Sequence, residues 1–334
     1  RGGKGKVGQK MTKDGDVVPY IQVANTHDTL LFFTDKGRVF SLRIFELSAD
    51  QSRTSRGTPV SNIINLAANE KVTAMLTVSS LLEDTYLLMV TKAGKVKRMH
   101  LPLLRNMNRA GLNTFKLSKD DQLVSVSLAD DDEDLAIITR EGMSIRFPSS
   151  QVRPTQRGAG GIRGIKMKTS QDVVVYSGVV NDEGYLLIVG RRGIGKLSAF
   201  RHYRIQNRGG SGVLTLKVTD KTGKVAGGSV VSEEIVGEKE GLLFILTDKA
   251  QIIRTNLGEI RKTGRVAQGV TIVKPNTGDA ISGVFINHAQ GKREARKEID
   301  LKNLENLENL ENLENPSIEN ELQNDIDENI TEES

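Results

Sequence analysis

The sequence contains no cysteine and no tryptophan, and aromatic residues make up only 4% of its 334 residues. Without cysteine, disulfides and thiolate metal sites are excluded, which fits a reducing cytoplasm. No apolar run reaches the roughly 18 residues that a membrane-spanning helix needs, so we expect no membrane partner. Because aromatic side chains are scarce, the chain also offers few platforms on which unpaired nucleic-acid bases stack.

Motifs that carry catalysis or bind cofactors are also missing. The four histidines are scattered, and none stands in a metal-ligand or nucleophile motif. Lys4-Gly5 lacks the Ser or Thr that completes a Walker loop, and Gly193-Ile194-Gly195-Lys196 lacks the third glycine of a dinucleotide fingerprint. We therefore expect a non-catalytic chain with no cofactor-binding site and no metal site.

Charge is distributed unevenly between the body of the chain and its end. The net charge is +5, but residues 299–334 hold twelve acidic residues and one lysine. Subtracting them leaves 46 basic and 30 acidic residues, so the rest of the chain carries about +16. A folded unit with that charge is suited to a polyanion, most often nucleic acid. Residues 291–334, rich in Asn-Leu-Glu triplets, are predicted to be a disordered acidic tail.

An arginine followed four residues later by a glycine recurs along the chain. The copies are Arg1 to Gly5, Arg53 to Gly57, Arg157 to Gly161, Arg208 to Gly212 and Arg265 to Gly269, with a looser copy at Arg109 to Gly111. Their final glycines are separated by 52, 54, 50, 51 and 57 residues. Such a period is typical of a propeller or a solenoid.

Each repeat also contains an apolar run that ends in a turn and then becomes basic. Five such hairpins are present, at residues 30–40, 86–96, 135–142, 185–193 and 242–250. Runs of this length and composition predict buried strands. A weaker strand pair follows each linker, for example 63–66 with 72–76, 115–117 with 124–126, and 165–167 with 173–175. Each repeat thus supplies about four strands, the number in one propeller blade.

From these repeats we predict an all-β, propeller-like fold of six blades with about four strands each. Residues 1–290 form the folded domain, in which 1–25 supply a partial first blade and five full repeats follow. Ala250 replaces the turn glycine in the last hairpin, so we expect a different turn geometry there.

The loops and hairpins place backbone N–H groups of glycine beside cationic side chains, a combination that binds phosphates. Tight turns between blades explain the glycines, but they leave the arginines unexplained. The predicted DNA-binding residues are Arg1, Gly2, Gly3, Lys4, Gly5, Arg53, Arg56, Lys95, Lys97, Arg98, Arg109, Arg146, Arg157, Arg163, Arg191, Arg192, Lys196, Arg208, Arg254, Lys262 and Arg265.

The expected ligand is double-stranded DNA, bound mainly through its phosphates. No recognition helix is evident, so sequence specificity should be low and affinity should fall steeply with salt. Bending about 35 base pairs through about half a circle costs on the order of 10–15 kcal/mol. A cationic cluster on every blade would offset that cost, whereas a single patch would not.

The chain resembles the C-terminal domain of DNA gyrase A. Arg1-Gly2-Gly3-Lys4-Gly5 matches the last five positions of the seven-residue gyrase box, and residues 23–28 leading into 33–39 look like the family's first complete hairpin. The similarity covers roughly residues 1–290. The two box positions before Arg1, and the hairpin that should precede them, fall outside the sequence.

The resemblance implies a six-bladed β-pinwheel that wraps DNA in a positive sense, with Arg1 and Lys4 as box cations. It also implies partners, namely the rest of gyrase A, which holds the catalytic tyrosine, and the ATPase gyrase B in a heterotetramer. The parent would then be an ATP-dependent type II topoisomerase in the bacterial cytoplasm, at the nucleoid. The isolated domain is expected to be monomeric.

Two other interpretations remain open at this point. The chain could be the equivalent domain of topoisomerase IV or a free-standing DNA-bending protein. Alternatively, it is a propeller scaffold whose basic rim meets an acidic protein partner.

Overall fold

The structure is a computed structural model that describes residues 24–47, 58–107, 110–180, 183–237, 241–249 and 251–286. Several predicted features lie outside these ranges. They are the gyrase-box-like residues 1–5, nearly all of the partial blade at 1–25, Arg53, Arg56, Arg109, Ala250 and the tail at 291–334.

The described strands form five antiparallel sheets, which we call blades 1 to 5 in chain order. Blade 1 contains β1 (Thr29–Thr34), β2 (Arg38–Arg43), β3 (Val72–Val78) and β6 (Leu112–Asn113). Blade 2 contains β4 (Tyr86–Thr91), β5 (Lys95–His100), β7 (Leu123–Ala129) and β10 (Ile162–Arg163). Blade 3 contains β8 (Asp134–Thr139), β9 (Met143–Pro148), β11 (Val174–Val180) and β14 (Val213–Leu214).

Blade 4 repeats the pattern with β12 (Tyr185–Gly190), β13 (Ile194–Ala199), β15 (Val225–Val231) and β18 (Val270–Thr271). Blade 5 contains three strands among the described residues, β16 (Leu242–Thr247), β17 (Ile252–Asn256) and β19 (Ile281–Ile286). The helix α1 (Glu233–Gly237) precedes blade 5. In the described part of the chain, no helix is long and apolar enough to cross a membrane.

The predicted all-β, four-stranded blade is confirmed for blades 1 to 4, but the predicted number of six blades is wrong. Each blade is built on an apolar hairpin, and the described residues contain five of these. An Arg-x-x-x-Gly loop adds only a two-residue strand to the edge of the preceding blade, as β10 does on β5. Counting loops, of which the sequence has six, therefore overestimates the number of blades.

Strand order explains how the blades are linked. In blade 1 the order is β3, β1, β2, β6, and blades 2 to 4 follow the same order. We call β3, β7, β11, β15 and β19 the inner strands; those of consecutive blades contact one another. We call the two-residue strands β6, β10, β14 and β18 the edge strands. Each edge strand belongs in sequence to the repeat that follows its blade. By pairing with the preceding blade, it links that blade to the next.

The hairpins are buried on both faces, which explains their continuous apolar runs. All six residues of β1 and all six of β12 are buried. The main apolar clusters lie between consecutive blades; one of them joins Leu31 and Phe33 of blade 1 to Leu87 and Met89 of blade 2. Packing each sheet against its neighbours therefore supplies the core.

The weaker strand pairs were predicted only in part. The second member falls within an inner strand in two pairs, 72–76 in β3 and 124–126 in β7, and the third, 173–175, overlaps the start of β11. The first member is not a strand. For two of the three pairs, an edge strand begins three residues earlier than the predicted strand, β6 before Phe115 and β10 before Ile165. Phe115 and Ile165 are instead buried anchors just after the edge strands.

Candidate nucleic-acid interface

Three complete Arg-x-x-x-Gly loops are described, at residues 156–161, 207–212 and 264–269; we call them the arginine loops. Each precedes an edge strand, β10, β14 and β18 respectively. They therefore lie on the outer edges of blades 2, 3 and 4, at the side of each sheet opposite its inner strand. We call the edge strands together with these loops the rim.

The last glycine of each loop is required by close packing on the blade below. Gly212 has φ +73°, and a Cβ added there would lie 2.2 Å from the carbonyl oxygen of Ser144. Gly269 has φ +92°, and its Cβ would lie 2.5 Å from the carbonyl oxygen of Gly195. A larger residue at either position would be strained and would push the loop off the sheet. Close packing on the blade therefore accounts for these glycines without a role in binding.

The arginines of two loops bridge consecutive blades. Arg208 donates from Nε to the carbonyl of Gln151 at 3.1 Å and from Nη1 to that of Arg163 at 3.2 Å. Arg265 makes the matching pair of bonds, to the carbonyls of His202 and Leu214. Neither of these side chains is buried. Each guanidinium thus joins two blades through Nε and Nη1, and its Nη2 makes no hydrogen bond to another described residue.

Arg157 belongs to the first of these loops but makes no such bridge. It is exposed, and its side chain makes no hydrogen bond to another described residue. Arg163 is also exposed and lies on β10 beside the 207–212 loop, where a Cβ on Gly209 would be 3.5 Å from the Arg163 carbonyl oxygen. The structure therefore brings Arg163 and Arg208 together, while Arg157 extends alone from the rim.

Four predicted DNA-binding cations are buried and take no part in the surface. Lys97 and Lys196 are each 1% exposed, and Arg98 and Arg146 are 2% and 5% exposed. Arg98 pairs with Asp131 and stacks over the ring of Tyr86, 3.7 Å from its centroid. Arg146 donates from Nε to Asp134 at 2.6 Å. Both guanidinium groups are therefore engaged by neighbouring side chains and are not presented at the surface.

Lys97 and Lys196 each lie beneath an arginine loop and donate to its carbonyl groups. Burial lowers the pKa of Lys97 to about 8. Burial lowers the pKa of Lys196 to about 8 as well, and the nearby positive charge of Arg265 adds to the effect. Both side chains remain largely protonated at neutral pH.

The other predicted cations remain at the surface with varied neighbours. Lys95 is partly exposed and donates to the Ser118 hydroxyl at 2.5 Å. Arg191 pairs with Asp248 at 2.5 Å, and Lys262 stands 4.5 Å from the ring centroid of Tyr185. Arg192 and Arg254 are exposed. Arg1, Gly2, Gly3, Lys4, Gly5, Arg53, Arg56 and Arg109 lie outside the described residues.

Sequence reasoning missed a regular row of surface lysines. Each lies five positions after the final glycine of its loop and directly after a buried apolar anchor such as Phe115. We call these the rim lysines; they are Lys116, Lys166, Lys217 and Lys274, and all are exposed. The Lys116 N–H donates to Ala159 at 3.1 Å and the Lys166 N–H to Gly210 at 2.8 Å, so each of these two lies against the next arginine loop.

Charge is segregated between two parts of the described blades. Four rim segments, 110–117, 156–168, 207–217 and 261–274, contain eleven cations and no carboxylate. The connections from inner strands to the next hairpin show the reverse. Their described residues contain no Lys or Arg and nine carboxylates, namely Glu83, Asp84, Asp130, Asp131, Asp132, Glu133, Glu183, Glu233 and Glu234. Such segregation focuses a positive potential on the rim.

Comparison with known proteins identifies relatives of the whole described region. A family described as DNA gyrase C-terminal domain, beta-propeller, matches residues 28–79, 85–130, 133–181, 184–232 and 241–288. These five matched segments correspond to the five blades and support the correction from six.

DNA gyrase A proteins from several organisms align with the chain. The identity is 39% for that of Dehalogenimonas lykanthroporepellens, over 84% of this chain and 34% of the relative. It is 36% for that of Staphylococcus aureus strain NCTC 8325 / PS 47, over 89% of this chain and 32% of the relative. The chain thus spans about a third of the length of the curated relatives it matches.

Two solved structures share the fold. The C-terminal domain of DNA topoisomerase IV matches with a TM-score of 0.69 and 24% identity, over 80% of this chain and 81% of that one. A DNA gyrase A C-terminal domain matches with a TM-score of 0.67 and 24% identity, over 84% and 93%. Because the five family segments together cover well over half of the sequence, the chain belongs to the DNA gyrase C-terminal domain family of β-propellers.

Proposed function

We propose that this chain binds duplex DNA along the rim, through phosphates and with little sequence specificity. The observation that carries the proposal is the row of rim segments on consecutive blades, which contain eleven cations and no carboxylate. Guanidinium and ammonium groups at such spacing neutralise phosphates, and the released counterions drive binding. The longest helix in the described residues has five residues, so base-edge readout by a helix has no support here.

We further propose that the bound duplex is bent and wrapped. A duplex that contacts the edges of successive blades, each rotated relative to the last, has to curve to stay in contact. Bending costs several kcal/mol for a few tens of base pairs, and phosphate contacts on every blade offset that cost. Repetition of the same loop and lysine from blade to blade is therefore suited to a bending surface.

In the parent protein, this wrapping would serve supercoiling. The family and the named relatives favour gyrase over topoisomerase IV. We propose that the chain is the non-catalytic, cofactor-free DNA-wrapping domain of a gyrase A protein in the bacterial cytoplasm. It would act with the rest of gyrase A and with gyrase B, which together would supply strand cleavage and ATP hydrolysis.

The test compares duplex affinity across salt concentrations for two variants of equal charge. The rim variant replaces Lys116, Lys166, Lys217 and Lys274 with Gln. The control replaces four exposed lysines outside the rim segments, Lys36, Lys71, Lys221 and Lys249, with Gln. Each phosphate contact contributes about 0.9 to the slope of log affinity against log salt concentration. If all four rim lysines contact phosphates, the slope measured for the rim variant should be smaller than that of wild type by roughly 3.6.

The control variant should keep nearly the wild-type slope. Equal losses in the two variants would show that only net charge matters and would contradict a rim site. A wild-type chain that forms no salt-dependent duplex complex would contradict DNA binding altogether and would favour a scaffold for an acidic protein.

A further inference from the structure

One position in each hairpin lies directly beneath the loop that the next repeat lays on the blade. It is the third residue after the turn glycine, occupied by Phe40, Lys97, Ile145 and Lys196 in blades 1 to 4. Ile145 lies beneath the 207–212 loop, where a Cβ on Gly210 would be 3.7 Å from Ile145 Cδ1. Phe40 similarly packs against Gly111. Two of these positions thus hold apolar side chains and two hold lysines.

The two lysines make the same contacts with their loops, and Lys97 Nζ also lies 2.6 Å from the carbonyl oxygen of Thr114. Lys97 Nζ donates to the carbonyls of Gln156, Arg157 and Ala159 at 2.8, 2.6 and 3.0 Å. Lys196 Nζ donates to the carbonyls of the equivalent positions, Gly264 at 3.1 Å, Arg265, and Ala267 at 2.7 Å. In both loops an alanine N–H closes the same turn, at 3.2 Å from Ala159 to Gln156 and at 3.1 Å from Ala267 to Gly264.

These contacts fix the conformation of the backbone in each loop. In each loop three carbonyl groups point inward at one ammonium, whose N–H donors bind them; around Lys97 the Thr114 carbonyl is a fourth acceptor. The 207–212 loop, supported by Ile145, adopts a different conformation, because Gly209 has φ +82° and its N–H donates to Gly164 at 2.6 Å. The equivalent residues in the lysine-supported loops are Gly158 and Val266, and neither has a positive φ.

Packing alone does not require a lysine at this position. Phe40 and Ile145 show that an apolar side chain supports a rim loop in the same fold without the cost of burying a charge. The lysine therefore contributes something that an apolar residue lacks, namely a fixed set of inward carbonyls and a positive charge just behind the loop. Both would favour an anion on the outer side of the loop.

Building on the proposed DNA-binding function, we propose that Lys97 and Lys196 are positioning residues. Each holds an arginine loop in its DNA-binding conformation, so that Arg157 and Arg265 meet backbone phosphates, while the lysine itself stays beneath the loop and contacts no DNA.

The test is a double-mutant cycle on duplex affinity in the full chain. Lys97→Met removes the donors but keeps a long apolar side chain, and Ile145 shows that such a residue is accommodated at this position. It is combined with Arg157→Ala on the loop that Lys97 supports and, as a matched control, with Arg208→Ala on the loop that Ile145 supports. Thermal unfolding of every variant checks that the fold is retained.

Lys97→Met and Arg157→Ala should each weaken binding roughly five-fold, the loss expected for one charge contact near the surface. If the lysine acts through the loop, the K97M/R157A double variant should bind about as well as R157A alone. K97M with R208A should show the product of the two losses, about 25-fold. A loss that arose only from reduced fold stability would not depend on which arginine is removed.

Unchanged affinity of Lys97→Met, or a full product of losses with Arg157→Ala, would overturn the positioning role while leaving rim binding intact. A wild-type chain that binds no duplex would overturn the proposed function itself. If Lys97→Met proves unfolded, the equivalent cycle with Lys196→Met and Arg265→Ala decides the matter on blade 4 with the same criteria.

Discussion

The 156–161 and 264–269 loops differ from the 207–212 loop although all three share the Arg-x-x-x-Gly pattern. A buried lysine beneath each of the first two draws three carbonyls inward. Ile145 lies beneath the third, where the backbone turns through a left-handed Gly209. The loop conformation therefore goes with the identity of the residue beneath it, lysine or isoleucine, and that residue belongs to the preceding repeat. A surface motif of this kind has to be interpreted together with its support.

The largest expected effect comes from exchanging the two kinds of support. Ile145→Lys places an ammonium beneath a loop whose carbonyls are not arranged to receive it, so an unpaired charge is buried. We expect the free energy of unfolding to fall by about 3–5 kcal/mol, measured by urea titration. A variant as stable as wild type would show that the loop rearranges freely to accept a lysine, and the distinction between the two supports would disappear.

A smaller effect follows from pH, and it applies only to the lysine-supported loops. The pKa of Lys97 and of Lys196 is about 8 in the folded chain, against an ordinary value of 10.5. As pH rises from about 7 to about 9.5, both lysines lose a proton, a donor and a positive charge. Duplex affinity should then fall by on the order of 1 kcal/mol per loop.

The stability of the fold should change in the opposite direction to DNA affinity as these two lysines lose their protons. Between pH 8 and 10.5 the unfolded chain binds more protons at these lysines than the folded chain, so their contribution to unfolding free energy rises with pH. Affinity and stability measured across the same pH range should diverge in wild type. The K97M/K196M variant should show neither the fall in duplex affinity nor the rise in unfolding free energy that these lysines cause. If its duplex affinity falls with pH as much as that of wild type, the pH effect belongs to other groups.

Glycine substitutions distinguish the loop conformations directly. Gly209→Ala imposes a left-handed φ on a residue with a Cβ and should cost about 1 kcal/mol of unfolding free energy. Gly158→Ala at the equivalent position has no heavy atom within 4 Å of its Cβ and no positive φ, so it should be neutral or slightly stabilising. Thermal unfolding of the two variants provides the comparison; equal destabilisation would contradict the difference in backbone conformation.

The smallest effects should come from single rim lysines. Lys116→Gln, beside a lysine-supported loop, and Lys166→Gln, beside the loop supported by Ile145, each remove one exposed cation. Each should lower the salt slope by about 0.9. Titrations at several salt concentrations would reveal any difference; a loss confined to Lys116 would mean that only lysine-supported loops contact DNA.

The hairpins could be predicted from the sequence because their apolar runs are buried on both faces and end in turns such as the one at Gly37. Whether the cations on the second strand of each hairpin are buried or exposed could not be predicted. Lys97 and Arg98 follow a turn and look like surface residues, yet the next repeat's loop and the 130–133 connection cover them. Alignment of the repeats holds the missing signal, since Phe40 and Ile145 occupy the position of Lys97.

The blade count and the rim lysines were missed for a related reason. Loops and hairpins are separate parts of a repeat, so counting loops gave six blades where five hairpins give five. Lys116 and Lys166 lay within segments predicted as strands, 115–117 and 165–167, although the spacing of all four rim lysines follows that of the loop glycines. Both the number of blades and the position of the rim lysines depend on pairing between distant repeats. A local sequence pattern does not show that pairing.

The most direct test of the central claim measures DNA topology with this chain as the only protein bound. Nicked circular DNA is ligated in its presence, the protein is removed and the linking number is read from gels. A cationic rim that holds duplex DNA on a curve predicts a shift in linking number that grows with the number of bound chains, positive in sign for the wrap implied by the family resemblance. A topoisomer distribution identical to that of DNA ligated alone, at protein concentrations that saturate binding, would contradict it.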